Sequence, residues 1–270
     1  VINPTKLGFQ TYNFLFELQN ISYDKQIELE KYLINSEYTK FVSLASGSWE
    51  YQVTLFIKDL NVLNLFLEDL NQQYGKYIKN NNFHLRAKTL YVGSFLEVLS
   101  KKTIIKNQSK TSPSNSSSIN LDELDSKILE IYSKDASLSV KEIALKLNTT
   151  FEKVRYKLDK LKKDNIISSL EANINYTTFN YNKYSLALKI NSYTKNFEKE
   201  LKKFLIETKN SLYAIKTIGN CDIRIEIVAK NQNEFKNFIL ELRKKFGENI
   251  AYSNFAIQLN ELKKVSFPQQ

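Results

Sequence analysis

An α+β fold made of two copies of one domain with a small helical domain between them is what the sequence predicts, and three observations carry it. Moved along itself by 172 residues, the 270-residue chain matches without a gap, with 21 identities between residues 1–98 and 173–270. Gly47 falls on Gly219, Phe66 on Phe238, Gly75 on Gly247 and Phe95 on Phe267, which marks two copies of one unit. Within each copy the apolar positions switch between a period of two and a period of about 3.6. Between the copies, residues 99–172 have another character: a polar tract, then three short helical stripes.

Each copy opens with a strict alternation, Tyr12, Phe14, Phe16 and Leu18 in the first and Tyr184, Leu186, Leu188 and Ile190 in the second. That is the pattern of a strand buried on one side. Phe197, Leu201, Phe204 and Leu205 then follow helical spacing. A second alternating strand comes after the glycine, as Tyr51, Val53, Leu55 and Ile57, or as Ile223, Ile225, Ile227 and Ala229. A second helix carries Leu60, Leu63, Leu67, Leu70 and Tyr74 in the first copy, and Phe235, Phe238, Leu242 and Phe246 in the second. With the apolar segments 38–45 and 78–92 each unit reads βαββαβ, a ferredoxin-like sandwich with both helices on one face of the sheet. The opposite face is expected to be bare and aromatic-rich, so the two copies are expected to pair through it as a pseudo-dimer, with further homo-oligomers.

The strand-linking turns, Gly47-Ser48-Trp49-Glu50 and Gly219-Asn220-Cys221-Asp222, admit two readings. Glycine supplies a positive φ for a tight hairpin. Alternatively, exposed backbone N–H groups beside a carboxylate suit the two ends of an amino acid, which would make these eight residues an effector site.

Residues 100–120 have four Lys, no acids and a Ser/Asn/Pro tract, as a flexible tether would. From Leu121 order returns. Leu121, Leu124, Ile128, Leu129 and Ile131 form one helical stripe, with Asp122, Glu123 and Asp125 near its N-terminus, where the helix dipole favours negative charge. A short helix buries Ile143, Ala144 and Leu147 behind a Ser139 cap. After the turn Asn148-Thr149-Thr150, a third helix buries Val154, Leu158 and Leu161 and turns Lys153, Arg155, Tyr156, Lys157 and Lys160 outward. Ile166 and Ile167, then alternating Leu170, Ala172 and Ile174, read as a small β-wing. Residues 121–172 are neutral overall, yet 150–163 hold six basic against two acidic side chains. The positive charge thus lies on the helix that a helix-turn-helix inserts into the major groove. Thr149, Thr150, Lys153, Arg155, Tyr156, Lys157 and Lys160 are the candidate contacts to double-stranded DNA. Domains are expected at 1–99, 121–172 and 173–270, with the tether at 100–120.

The whole-chain charge of +10 locates no site by itself, since it divides as −1 over 1–99, +4 over 100–120, 0 over 121–172 and +7 over 173–270. A single cysteine, Cys221, excludes a disulfide framework and an all-cysteine metal centre. No apolar run reaches the roughly 18–20 residues of a membrane helix and no signal peptide opens the chain, so a cytoplasmic protein without membrane contact is expected. No catalytic constellation appears, His84 reads as a packing residue, and neither cofactor nor metal is expected.

Residues 121–172 followed by the second sandwich resemble the Lrp/AsnC (feast/famine) transcription regulators. The resemblance is carried by Leu121-Asp122-x-x-Asp125-x-x-Ile128-Leu129, by Glu142-Ile143-Ala144, by Val154-x-x-Lys157-Leu158-x-x-Leu161, by Ile166-Ile167 at the entry to the wing, and by the Gly-x-x-acid turn Gly219–Asp222. Asn165, Asn148 and Thr149 stand where the family has Gly, Gly and Leu. The opening of the first copy, Val1-Ile2-Asn3-Pro4, matches the segment that comes directly after the wing in the family. The resemblance implies a transcriptional regulator whose head binds DNA and whose sandwiches assemble and sense a small effector such as an amino acid. It also implies a further winged helix before Val1, without which the strand opening at Ile2 would lack the partner that the second copy has. Two alternatives are a ligand-sensing or assembly protein with weak or no DNA binding, and an enzyme resembling siroheme decarboxylases, which share this two-part architecture.

Overall fold

The computed structural model describes residues 2–100, 119, 121–168, 174–265 and 267. The first copy runs β1 (Gln10–Leu18), α1 (Tyr23–Asn35), β2 (Thr39–Gly47), β3 (Tyr51–Ile57), α2 (Leu60–Tyr74), β4 (Ile78–Val92) and a short α3 (Phe95–Ser100). Three helices follow, α4 (Glu123–Lys134), α5 (Val140–Lys146) and α6 (Phe151–Lys163). The second copy repeats the first as β5 (Asn182–Ile190), α7 (Lys195–Thr208), β6 (Ser211–Gly219), β7 (Ile223–Ala229), α8 (Gln232–Phe246) and β8 (Ile250–Lys264). Both copies are the expected βαββαβ sandwich. Of the expected tether only Ser100, which ends α3, and Ile119 are described; the rest lies outside the described residues, as do Leu170 and Ala172 of the expected wing.

Alternation decides which side chains meet the helices. Phe14, Phe16, Tyr51, Val53 and Leu55 pack with Leu29 and Leu33 of α1 and Leu63, Phe66 and Leu70 of α2. Leu186, Leu188, Ile223, Ile225 and Ile227 do the same with Leu201, Phe204, Phe238 and Leu242. The two long helices of each copy start at a side chain that accepts a first-turn N–H: Ser22 for α1, Asp59 for α2, Thr194 for α7 and Asn231 for α8.

The two sheets join at both edges, β2 with β8 and β4 with β6, all pairings antiparallel, into a closed eight-stranded barrel in the order β1-β3-β2-β8-β5-β7-β6-β4. The pseudo-dimer therefore forms through the sheet faces away from the helices, as expected, but those faces are not aromatic-rich. The rings of Tyr12, Phe14, Phe16 and Tyr51 are spent on the helix side and Phe56 packs with the head, while the alternate positions that line the barrel are Asn13, Leu15 and Gln52, joined by Trp49, His84, Ser185 and Arg224, all buried. Some of the polar groups bond to one another: Thr54 Oγ1 donates to Asn13 Oδ1 at 2.9 Å, and Arg224 Nη2 donates to Gln52 Oε1 at 2.8 Å and to Ser185 Oγ.

The turn glycines belong to this closure. Gly47 (φ +140°) lies against β8, where an added Cβ would stand 2.5 Å from the Phe255 carbonyl oxygen. Gly219 (φ +138°) meets the Phe83 carbonyl of β4 at 2.4 Å in the same way. Both backbone conformation and space exclude a side chain at these two positions.

The helical head is covalently continuous with the second copy, yet it docks on the first. Ile167 makes an antiparallel bridge with Ile2, and Asn3 N–H donates to the Ile166 carbonyl at 2.8 Å. Ile2, Leu7, Phe9 and Phe267 share one core with Ile128, Leu129, Val154 and Leu161. This corrects the expectation that the strand opening at Ile2 lacks a partner: the wing's strand mate comes from the other copy. Ile174, expected to continue the wing, packs instead with Phe95, Tyr181 and Val228.

Replacing Gly219 by alanine is expected to cost about 1–3 kcal/mol of stability through strained φ and the clash with Phe83. Gly75→Ala, at a helical φ with nothing nearer than 3.6 Å, should cost much less. Equilibrium urea unfolding of the two variants checks the difference.

Candidate nucleic-acid interface

The head is built by three capped helices around one small core. Asp122 accepts from Asp125 N–H at 2.8 Å while the Asp125 carboxylate accepts from Asp122 N–H, a reciprocal cap that starts α4. Ser139 and Glu142 repeat the device at α5. Asn148 takes a left-handed φ of +48° in the turn, a conformation asparagine tolerates at low cost, and Thr150 Oγ1 accepts from Lys153 N–H to start α6.

The apolar stripe Val154, Leu158 and Leu161 of α6 is fully inside. The opposite face presents Lys153, Arg155, Tyr156 and Lys160 to solvent, with Tyr156 68% exposed. Thr150 is exposed and Thr149 half-buried at the N-terminal end of the same helix. Lys153, Tyr156 and Lys160, spaced i, i+3 and i+7, share one side of α6 with Thr149 and Thr150 at its N-terminal end, and Arg155, about 200° round the helix from Lys153, is exposed on the other flank. Lys162 and Lys163 extend the positive charge along its last turn.

Lys157 behaves otherwise. Its ammonium donates to Asp122 and, at 3.1 Å, to Asp125, which ties the middle of α6 to the N-terminus of α4. The hydrogen bond with Asp122 holds the lysine above its ordinary pKa, and the same bond holds the Asp122 carboxyl below its own. Lys157 is thus turned into the head and holds two helices in place; it is not on the exposed face. Asp122 and Asp125, spaced i, i+3 at the start of a helix, were the sequence signal for such a partner.

The eight turn residues expected to take an effector are committed to closing the barrel. Trp49 and Cys221 are buried inside it with Leu15, Ala45, Ala187 and Ala256. Ser48 N–H donates to the Phe255 carbonyl at 2.9 Å and Ser48 Oγ accepts from Phe255 N–H at 3.3 Å. Asn220 clamps Phe83 of β4 in the same two-way manner, at 3.0 and 2.9 Å. The carboxylates face protein backbone: Glu50 accepts from Leu18 N–H at 2.9 Å, and Asp222 accepts from Ile190 N–H at 2.8 Å and from Lys189 at 3.1 Å. Of the two readings of these turns, the geometry favours the structural one, because the donors an amino acid would need are already bonded.

His84 is wholly buried in the barrel, with Nε2 3.3 Å from Arg224 Nη1, and burial followed by the neighbouring guanidinium pushes its pKa down to about 2. No group of side chains suited to a metal ion occurs among the described residues. No helix among them is long and apolar enough to cross a membrane.

Fold and surface together define a winged-helix head carried on a ferredoxin-like pseudo-dimer. Residues 121–168 match the winged helix-turn-helix DNA-binding family. The chain is similar to an uncharacterized HTH-type transcriptional regulator of Pyrococcus abyssi, 27% identical over 119 residues that cover 44% of this chain and 80% of the relative. It is also similar to an HTH-type transcriptional regulator of Pyrococcus furiosus, 25% identical over 122 residues, 44% of this chain and 78% of the relative. Among solved structures, a siroheme decarboxylase, NirDL, superposes on 99% of this chain and 77% of its own with a TM-score of 0.62 at 12% identity, a likeness of fold. The chain thus joins one winged helix-turn-helix head to two ferredoxin-like sandwiches.

The depressed pKa of Asp122 has a direct consequence. Its salt bridge stabilises the head fully above the unfolded carboxylate pKa of about 3.9, and that stabilisation is lost as pH falls through the lower folded value. Because Asp122 is more than half exposed, the effect is no more than about 1 kcal/mol. Lys157→Met is expected to lower the head's unfolding midpoint at pH 7 and to flatten its dependence on pH below about 4, as checked by circular dichroism melts across pH.

Proposed function

We propose that this protein is a sequence-specific DNA-binding transcriptional regulator that reads duplex DNA with α6. The carrying observation is the division of that helix into a fully buried apolar stripe and an exposed face bearing Lys153, Arg155, Tyr156 and Lys160, with the inward lysine neutralised by two aspartates. A helix so divided places cations and a hydrogen-bonding ring at the groove while its back is held by α4 and α5. Arg155 and Tyr156 are assigned to base edges, and Lys153, Lys160 and the Thr149–Thr150 end to phosphates. The regulators of Pyrococcus named above support the same reading. A cytoplasmic location follows from it.

The reaction of the siroheme decarboxylase is not carried over with its fold. The chain's only histidine is sealed inside the barrel and neutral at ordinary pH, so it is not placed to trade protons with a bound substrate.

Binding measured by fluorescence anisotropy against a selected site and a scrambled duplex tests the assignment. Arg155→Ala or Tyr156→Ala should bring the two affinities together, a loss of about 1–3 kcal/mol on the selected site. Lys160→Ala should weaken both duplexes alike and reduce the salt slope by about one. A Lys153/Arg155/Lys160 triple alanine variant that binds as tightly as the parent would overturn the proposal in favour of an assembly protein.

A further inference from the structure

The 172-residue register makes the inside of the barrel an experiment in pairing, because residues related by it occupy equivalent places on the two sheets. Gln52 and Arg224 are such a pair and bond to each other at 2.8 Å, so the pseudo-twofold axis passes between them. Around that axis the two faces differ in a complementary way. The first copy contributes bulk, with Leu15, Trp49 and His84; the second has Ala187, Cys221 and Ala256 at the matching positions. The Trp49 ring fills the space those three small residues leave. The second copy contributes charge, and the first supplies what that charge requires: Gln52 accepts from the Arg224 guanidinium, His84 Nε2 lies 3.3 Å from it, and the Trp49 ring stands 5.9 Å from Cζ.

We infer that the two sheet faces are built for an unlike partner, so that each sandwich takes the face of the other kind and refuses a second copy of itself. Set against its own kind, the second sandwich would bring two buried guanidinium groups together at the axis, with Cys221 and Ala256 in place of Trp49 and His84. Glu226 would not resolve that pairing. It lies 3.9 Å from Arg224 but is engaged by Lys183 at 2.8 Å. An unpaired buried charge is strongly destabilising. Set against its own kind, the first sandwich would drive Trp49 into a leucine, a histidine and a second tryptophan where two alanines and a cysteine now sit, an overpacked core. The glycines at the edges do not discriminate, since Gly47 and Gly219 are identical and so are the residues they approach, Phe83 and Phe255, whereas Lys88 with Glu198 at 2.8 Å and Lys263 with Thr39 at 3.0 Å add unlike pairs at the two seams. The interior contributes the buried-charge and packing part of the selection, and it directs the two faces of one chain toward each other. Association between chains is left to the outer surfaces.

Trp49 is the chain's only tryptophan and is 1% exposed, so its fluorescence reports on the interior of the intact barrel. Gln52→Arg places an arginine on both sides of the axis, as self-pairing of the second sandwich would. Its Trp49 emission is expected to move to the red, with acrylamide quenching rising severalfold over the parent. Gln52→Asn, which keeps a carbonyl acceptor for Arg224 and an amide donor for Glu226, is expected to leave Trp49 blue and shielded. The exchanged variant Gln52→Arg/Arg224→Gln restores one arginine opposite one glutamine, and it should recover the parent spectrum even where Gln52→Arg alone fails to fold. On the size side, Ala187→Leu should expose Trp49, whereas Ala187→Ser should not. Parent-like quenching in Gln52→Arg, or an exchanged variant no better shielded than Gln52→Arg, would overturn the inference.

Discussion

Everything in this molecule hangs on the closure of two four-stranded sheets into one ring. A ferredoxin-like sandwich alone has two open strand edges and one uncovered sheet face, and pairing its edges with those of its copy removes both liabilities together. Closure requires the β2–β3 turn to approach β8, and the β6–β7 turn to approach β4, more closely than a side chain allows; that is why glycines occupy 47 and 219. It also seals the lumen from water. Polar groups on the inner faces must then find partners inside, and the Asn13–Thr54 and Gln52–Arg224–Ser185 bonds are the result. The groups left without a partner among the described residues, among them Trp49 Nε1, His84 Nδ1 and Arg224 Nε, cluster around the same axis.

Much of this was legible in the residues, and the failures have physical causes. The gapless repeat displayed two copies, the period-two alternation placed β1, β3, β5 and β7, the period-3.6 stripes placed α2, α7 and α8, and the apolar segments 38–45 and 78–92 with the repeat supplied the rest. The same alternation misled about the free face. It tells which residues share a side but not how polar a buried side is allowed to be, and here internal hydrogen bonding replaces the aromatic cover that was expected. The turns kept two readings for a related reason. A glycine followed by a carboxylate at i+3 suits a ligand or a strand junction equally well, and only the approach of Phe255 and Phe83, more than a hundred residues away from their turns, decides between them.

Within the head, helical geometry separates two lysines that look alike in sequence. Lys157 sits three residues after Val154 and one before Leu158, so it flanks the buried stripe and comes within reach of the α4 N-terminus. Lys153 and Lys160 lie farther round the helix and remain exposed. A basic residue beside an apolar stripe therefore serves the fold first wherever an acidic helix start lies opposite. Discounting it concentrates the DNA-facing charge on fewer, better placed side chains.

The position of the head is where assembly and recognition meet. It is bonded along the chain to the second sandwich, but the partner of its Ile167 bridge and part of its core come from Ile2, Leu7 and Phe9, which lead into β1 of the first. Phe9 also packs against Phe56 of β3, with ring centroids 6.5 Å apart, so the docking surface is continuous with the first sandwich's own sheet. A domain held by both halves takes its orientation from how those halves are paired. The unlike pairing around Gln52 and Arg224 thereby sets the direction in which α6 points, although neither residue touches the head. A change in that pairing displaces the second sandwich, which the head follows by covalent linkage, relative to the first, on which it rests. The barrel interior and α6 are in this sense two ends of one arrangement, and under the proposed function the buried polar network belongs to the DNA-reading geometry as much as to the fold.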